Sequence, residues 1–206
     1  MRIVVATGNP HKLEEIRAVL EPMGFEVLSL AQLAGAAPAE PEEPGATFEE
    51  NARIKARYYA AAVRETVLAD DSGLEVDALQ GAPGVHSAHW AGHEGTRAER
   101  DARNNAKLVE ALRGVPMDQR RARFVCTMCV ASPQGELLVE VRGEFEGVVV
   151  EEPRGEHGFG YDPHLYLPEL GVTSAQLPPG RKNELSHRGR ALRQLAYLIR
   201  HKRIRW

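Results

Sequence analysis

The sequence predicts an α/β fold with long antiparallel strands, and three observations carry that prediction. Short apolar runs alternate with helical patterns through the first third of the chain. Two long β-rich stretches, RRARFVCTMCVAS and GELLVEVRGEFEGVVV, follow one another across a Pro-Gln-Gly turn. A helix from about Glu184 to His201 closes the chain.

Taken in order, RIVVA at residues 2–6 reads as a first strand. Pro10 opens a helix whose apolar residues are Leu13, Ile16, Val19, Leu20 and Met23. Gly24 is its expected C-cap, and FEVLSL reads as a second strand. Residues 34–46, rich in Ala, Pro, Gly and Glu, read as a loop. Thr47 with Glu50 three residues on forms a capping box, and the helix behind it runs to about Arg64. LADDSGLEVDAL, Leu68 to Leu79, reads as a strand, a tight polar turn and a second strand. A further helix is predicted from Arg97 to Leu112, and a Gly-rich segment, PRGEHGFGYDP, precedes the last helix.

The 206 residues allow one large domain or two lobes sharing a core. With 43% hydrophobic and 27% charged residues, the composition is that of a soluble globular protein. No apolar run approaches the roughly 18 residues of a membrane span. The run in MRIVVATGNP is too short for a secretory signal, so a cytoplasmic protein is expected. Net charge is −3, yet Arg181 to Trp206 holds nine Lys and Arg against one Glu. Such a tail suits a nucleic acid or polyphosphate, or is the solvated face of a last helix.

Four polar clusters stand where elements end. TGNPHK, Thr7 to Lys12, has the layout of a phosphate site: strand, Gly-containing turn, helix N-terminus, lysine. It is no Walker motif, and an ordinary strand-to-helix loop explains it equally well. The acidic loop carries Glu40, Glu42 and Glu43, with Glu49 and Glu50 in the following helical turn. Glu42 and Glu43 are candidate oxygen ligands for Mg²⁺. In Asp70-Asp71-Ser72-Gly73 the adjacent carboxylates of a strand point to opposite faces and so do different jobs. GFGYDP and SHRGRA place aromatic and basic groups between glycines and at a helix start, where cations oppose the helix dipole. Cys126 and Cys129, spaced as CTMC, read as core residues on opposite strand faces, and His86, His89 and His93 as loop residues.

Read together, TGNPHK, EEPGATFEENARIKA, LADDSGLEVDAL, GAPGVHSA, GFGYDP and SHRGRAL resemble the inosine triphosphate pyrophosphatase family from Arg2 to about Leu198. The resemblance implies a single nucleoside-triphosphate pyrophosphatase domain over residues 1–206. It implies a long mixed twisted sheet with flanking helices, in two lobes around a central substrate cleft. It implies a homodimer without stable nucleic-acid or membrane partners, hydrolysing ITP, dITP and XTP to the monophosphate and pyrophosphate with Mg²⁺. By the same resemblance Asp71 is the proton acceptor. Thr7, Gly8, Asn9, Pro10, His11, Lys12, Ser72, Phe159, Gly160, Tyr161, Asp162, Lys182, His187 and Arg188 bind substrate. Asp71 and Glu42, or its neighbour Glu43, hold the metal, and Asp162 is expected to accept from the base N1–H. His89 departs from the family's arginine at that position. A pyrophosphatase for other modified nucleotides, and a non-catalytic nucleotide- or nucleic-acid-binding protein, are the rival expectations.

Overall fold

A computed structural model describes residues 2–33 and 38–201. Lys202, Arg203 and Arg205 of the basic tail, and residues 34–37 of the expected loop, lie outside the described residues. The elements in chain order are β1 (Arg2–Ala6), α1 (Pro10–Leu20), β2 (Glu26–Ser29), α2 (Phe48–Val63), β3 (Val67–Val76), α3 (Arg97–Ala111), β4 (Arg121–Ala131), β5 (Leu137–Val149), β6 (Leu165–Leu167), β7 (Val172–Thr173), α4 (Pro179–Leu185) and α5 (His187–His201). The strands form one mixed sheet in the order β2-β1-β3-β4-β5-β6-β7. β1 runs parallel to β2 and β3, whereas β6 is antiparallel to both β5 and β7. Only residues 132–136 join β4 to its neighbour β5, with Ser132 N–H bonded to the Glu136 carbonyl at 2.8 Å. A connection that short admits only an antiparallel pair.

The chain divides into two compact units. One comprises the residues up to Asp71, Cys126–Gly143 and the segment from His187 onward; the other comprises Ser72–Val125 and Glu144–Ser186. In the first unit the sheet is buried on both faces, which is why Ile3 to Ala6 of β1 are apolar throughout rather than alternating. Ile3, Val5, Leu68, Cys126, Met128 and Val130 face a core shared with Ile16 and Leu20 of α1 and Leu192 and Leu195 of α5. Val4, Ala6, Val67, Ala69, Cys129 and Ala131 face Ala52, Ala56 and Ala60 of α2, three alanines at helical spacing that let the helix approach closely. The second unit has its own core, in which Leu74, Val76, Phe124, Phe145 and Val149 pack against Leu108 and Leu112 of α3.

Two expectations need correction. The predicted turn within LADDSGLEVDAL is absent: β3 is one continuous ten-residue strand, and Asp70 to Gly73 lie in its middle. The turn chemistry of Asp, Ser and Gly is overridden in an interior strand that lies between β1 and β4 in the sheet, with β1 pairing as far as Ala69. The single helix expected from Glu184 is two helices. Ser186, at φ −65° and ψ 160°, is extended and separates α4 from α5. The other predicted elements stand close to their expected bounds, with Thr47 capping α2 and Gly24 at φ 88° closing the turn after α1.

α5 lies directly on β5 at Gly143. A Cβ there would fall inside contact distance of the His187 carbonyl oxygen and reach 2.7 Å from the Ala191 nitrogen. Both are backbone atoms, so neither can swing aside. Gly143→Ala should therefore lower stability by about 1–3 kcal/mol through overpacking. The check is a fall in denaturant midpoint with an unchanged slope; an unaltered midpoint would show that α5 shifts at no cost.

Candidate functional site

Strand periodicity distributes the two adjacent carboxylates. Residues 68 and 70 of β3 share one face, and residues 69 and 71 the other. Leu68 faces α1 and α5, so Asp70 does too. Lys12 Nζ of α1 lies 2.8 Å from its Oδ2, and Arg188 Nη2 of α5 lies 3.4 Å from the same atom. Arg188 also pairs with Glu15. Ala69 faces α2, and so does Asp71. There Lys55 Nζ lies 2.9 Å from Asp71 Oδ1, and Asn51 Nδ2 lies 3.4 Å from Oδ2. Asn51 and Lys55 are one helical turn apart on α2.

Burial acts on both carboxylates, with opposite outcomes. It raises the Asp70 pKa, but the charges of Lys12, Arg188 and Lys55 outweigh it and hold the group below the ordinary carboxylate range. At Asp71 burial wins over Lys55 and Lys12, with Glu43 adding to the rise, and the pKa lies above that range. Neighbouring groups pushed apart in this way divide into a permanent anion and a potential proton acceptor.

Lys55 is shared, its Nζ lying 2.8 Å from Glu43 as well. Burial would lower its pKa, yet Asp71, Asp70 and Glu43 raise it. Glu43, not Glu42, is thus the glutamate that shares a cation with Asp71, although both glutamates are solvent-exposed. Among the described residues no group of three or more His, Cys, Asp or Glu converges as a metal cluster. Two carboxylates on one cation nevertheless suit Mg²⁺, which takes one or two carboxylates and completes its shell with water and substrate phosphates.

β1 pairs with β3 so that Ala6 is opposite Ala69. Thr7 to Lys12 therefore leave the sheet beside Asp70 and Asp71. Asn9 is the N-cap of α1: its Oδ1 accepts the His11 N–H at 3.1 Å, while Thr7 Oγ1 accepts the Asn9 N–H at 3.1 Å. Asn9 is buried, and its Nδ2 meets no hydrogen-bond partner among the described residues. Pro10 occupies the first turn, no acidic residue stands in it, and Gly8, Pro10 and His11 are exposed. An orphan amide donor at a helix N-terminus, with Lys12 at hand, favours an anion.

The remaining candidates divide between the units. His187 and Arg188 are buried in the first turn of α5, and the pairing of Arg188 with Asp70 and Glu15 accounts for a cation at that unfavourable position. In the second unit Asp162 is 2% exposed. Its Oδ2 accepts from Lys182 Nζ at 2.5 Å and from Phe159 N–H at 2.8 Å, and its Oδ1 from Ser174 Oγ at 2.7 Å. Three of roughly four lone-pair positions are thus filled. Asp162 braces Lys182 and the Phe159 loop, with about one lone-pair position left over. Gly158, at φ 80°, makes room: a Cβ there would crowd Asp162 Oδ2 and stand 2.6 Å from Lys182 Nζ. Tyr161 is buried, its hydroxyl donating to the Ser87 carbonyl at 2.9 Å. Lys182 Nζ lies 5.3 Å from the centre of the Phe159 ring. Ser72, partly buried, follows Asp71 along β3.

Several residues here escaped the sequence reading. Asn51 and Lys55 lie in the helix that starts at the capping box, and their signal was a polar pair beside the buried alanine stripe. Arg97, Asp101 and Asn105 of α3 recur every four residues and all meet the Phe159–Gly160 loop. Arg97 Cζ lies 4.7 Å from the Phe159 ring centre, Gly160 N–H donates to Asp101 at 3.0 Å, and Asn105 Nδ2 donates to the Gly160 carbonyl at 3.0 Å. Nothing in the sequence announces that long-range grip.

Comparison with known proteins covers nearly the whole chain. The Ham1 family model matches residues 3–198. A dITP/XTP pyrophosphatase of Exiguobacterium sp. (strain AT1b) is 51% identical over 95% of both chains, and one of Bacillus subtilis (strain 168) is 45% identical over 95% of this chain and 96% of its own. Among solved structures, a HAM1 protein from Coxiella burnetii superposes with a TM-score of 0.86 at 38% identity, over 97% of this chain and 98% of that one.

Removing charge should separate the two aspartates. Asp70→Asn leaves Lys12 and Arg188 buried beside a neutral group and should cost about 3–5 kcal/mol. Because the folded pKa of Asp70 lies below the unfolded value, that stabilisation is complete at neutral pH and disappears as pH falls through the folded pKa. Asp71 is disfavoured as an anion by the fold, so Asp71→Asn should cost less than about 1 kcal/mol. Parallel urea melts decide it; equal losses would contradict the division of roles.

Proposed function

The chain belongs to the Ham1 family, and on that premise we propose that it hydrolyses non-standard purine nucleoside triphosphates, dITP and XTP foremost, to the monophosphate and pyrophosphate. The observation that carries the reading is the arrival of Asp71, with its raised pKa, beside the phosphate-suited N-terminus of α1. The chain acts as one catalytic domain.

Phosphate oxygens take the Asn9 amide, the Thr7 hydroxyl, the N–H groups of the α1 terminus and Lys12. Asp70, permanently ionised, fixes Lys12 without accepting a proton itself. Asp71 orients a water and takes its proton as the oxygen attacks the α-phosphorus; the bond to the β-phosphate side breaks and pyrophosphate leaves. Asn51 and Lys55 hold the Asp71 carboxylate in place. Asp71 and Glu43 would hold Mg²⁺, which supplies neutralisation of charge on the leaving pyrophosphate. Phe159 stacks the purine, and Lys182 donates to its 6-oxo group. We place the protein in the cytoplasm as a homodimer; among the described residues no helix is long and apolar enough to cross a membrane.

Hydrolysis in ¹⁸O water should place the label in the monophosphate, and Asp71→Asn should lower kcat by about 10²–10⁴. Label in pyrophosphate would refute attack at the α-phosphorus, and near-wild-type turnover would remove Asp71 from the role.

Adenine sets an amino donor against the Lys182 ammonium. A site built on such hydrogen bonds rejects the wrong partner by about 10⁴–10⁵ in kcat/KM. ATP cleaved as well as ITP would overturn this account of base choice.

A further inference from the structure

We propose that Asn51 is a positioning residue that ties the acidic loop to Asp71 and so sets how far Glu43 stands from that carboxylate. This rests on the function proposed above, in which Asp71 and Glu43 share the metal; Asn51 acts through them rather than by touching substrate. Asn51 lies near the start of α2 and is 3% exposed. Both ends of its amide are engaged. Gly45 N–H donates to Oδ1 at 2.8 Å, and Nδ2 donates to Asp71 Oδ2 at 3.4 Å. A backbone N–H can only donate, so the carbonyl end faces the loop and the amino end faces the carboxylate.

Helix propensity does not account for the residue. Asn is a weaker helix former than alanine, which occupies the buried positions 52, 56 and 60 of the same helix. Gly45 in turn suits the contact: a Cβ there would fall inside contact distance of Asn51 Oδ1 and stand 2.7 Å from Glu50 Cβ. The N–H groups of Ala46 and Thr47 both donate to Glu50 Oε2, at 2.7 and 3.3 Å. Three successive loop amides are thus held by two adjacent side chains of α2.

The sequence Glu43-Pro44-Gly45 carries that anchor to the carboxylate. The proline ring fixes its own φ and keeps the residue before it out of the helical region, so little freedom remains between Gly45 and Glu43. Lys55, one turn beyond Asn51, lies 2.8 Å from Glu43 and 2.9 Å from Asp71. An ammonium on a flexible stem draws the two carboxylates together without fixing a direction. The short amide, bonded at both ends, supplies the fixed length.

The test combines amide hydrogen exchange of the metal-free protein with steady-state kinetics on ITP, for wild type, Asn51→Ala, Gly45→Ala and the double variant. The Gly45 amide should exchange slowly in wild type and about ten-fold faster in Asn51→Ala, the size expected for one lost hydrogen bond. In Asn51→Ala kcat should fall about 10–100-fold, as when a group that orients a metal ligand is removed, while KM changes less than about two-fold. Gly45→Ala crowds the same contact from the loop side and should also lower kcat. The double variant should lose less than the product of the two single losses. A merely structural Asn51 would lower the melting midpoint and leave the folded variant with wild-type kcat, which would overturn the proposal. So would a Gly45 amide unprotected in wild type, a loss confined to KM, or losses that multiply. If Asn51→Ala fails to fold, wild-type kcat in Gly45→Ala overturns it equally. A wild type inactive on both ITP and XTP would instead overturn the proposed function, and the Gly45 exchange would still show whether Asn51 holds the loop.

Discussion

The alternation of side chains along β3 is the constraint on which the chemistry depends. Two carboxylates adjacent in sequence cannot share a face of an extended strand. One is sent toward α1 and α5, the other toward α2, and each meets a different set of cations. A shift of register by one residue would exchange them, giving Asp71 the partners that hold a carboxylate ionised and leaving Asp70 to the helix that carries Lys55. The apolar residues before them prevent such a slip, since Leu68 and Ala69 are shaped for a leucine-rich core on one side and an alanine stripe on the other.

The buried ion network around Asp70 is not explained by stability alone. Well-packed hydrophobic residues commonly do as well as buried charges, whose desolvation offsets their attraction. What the network adds is placement. Lys12 is 16% exposed, with its ammonium bonded to a carboxylate that is 1% exposed. A flexible side chain is thereby held with its charge at the helix N-terminus, and the entropy of ordering it is met in the folding of the chain rather than on each encounter with a ligand.

Much of this was legible from the sequence, for reasons that are local. The capping box at Thr47, the Gly24 stop and the long β-branched runs report directly on nearby backbone, and the structure follows them. The opposite faces taken by Asp70 and Asp71 followed from strand geometry alone. The polar turn expected at Asp70 to Gly73 did not form, because Asp, Ser and Gly favour turns only when no neighbouring strands claim the backbone. The break at Ser186 was hidden because residues on both sides are compatible with a helix. The acidic loop offered Glu42 and Glu43 side by side, and which of them meets Lys55 is decided by a loop path no local pattern encodes. Arg97, Asp101 and Asn105 were invisible for the same reason: their partners lie more than fifty residues away.

The thiol beside the buried carboxylate has a consequence of its own. Cys126 Sγ lies 3.8 Å from Asp70 Oδ2, and burial, reinforced by that negative charge, pushes its pKa up to about 12. Cys129 is raised as well, by burial and by Glu140. Attack on an oxidant or a disulfide needs the thiolate, and neither sulfur supplies it at neutral pH. The two thiols also project from opposite faces of β4, into separate cores, so they cannot bridge one another. A spacing that elsewhere marks an electron-exchange pair here yields a protein whose folded state is indifferent to the redox poise of its surroundings.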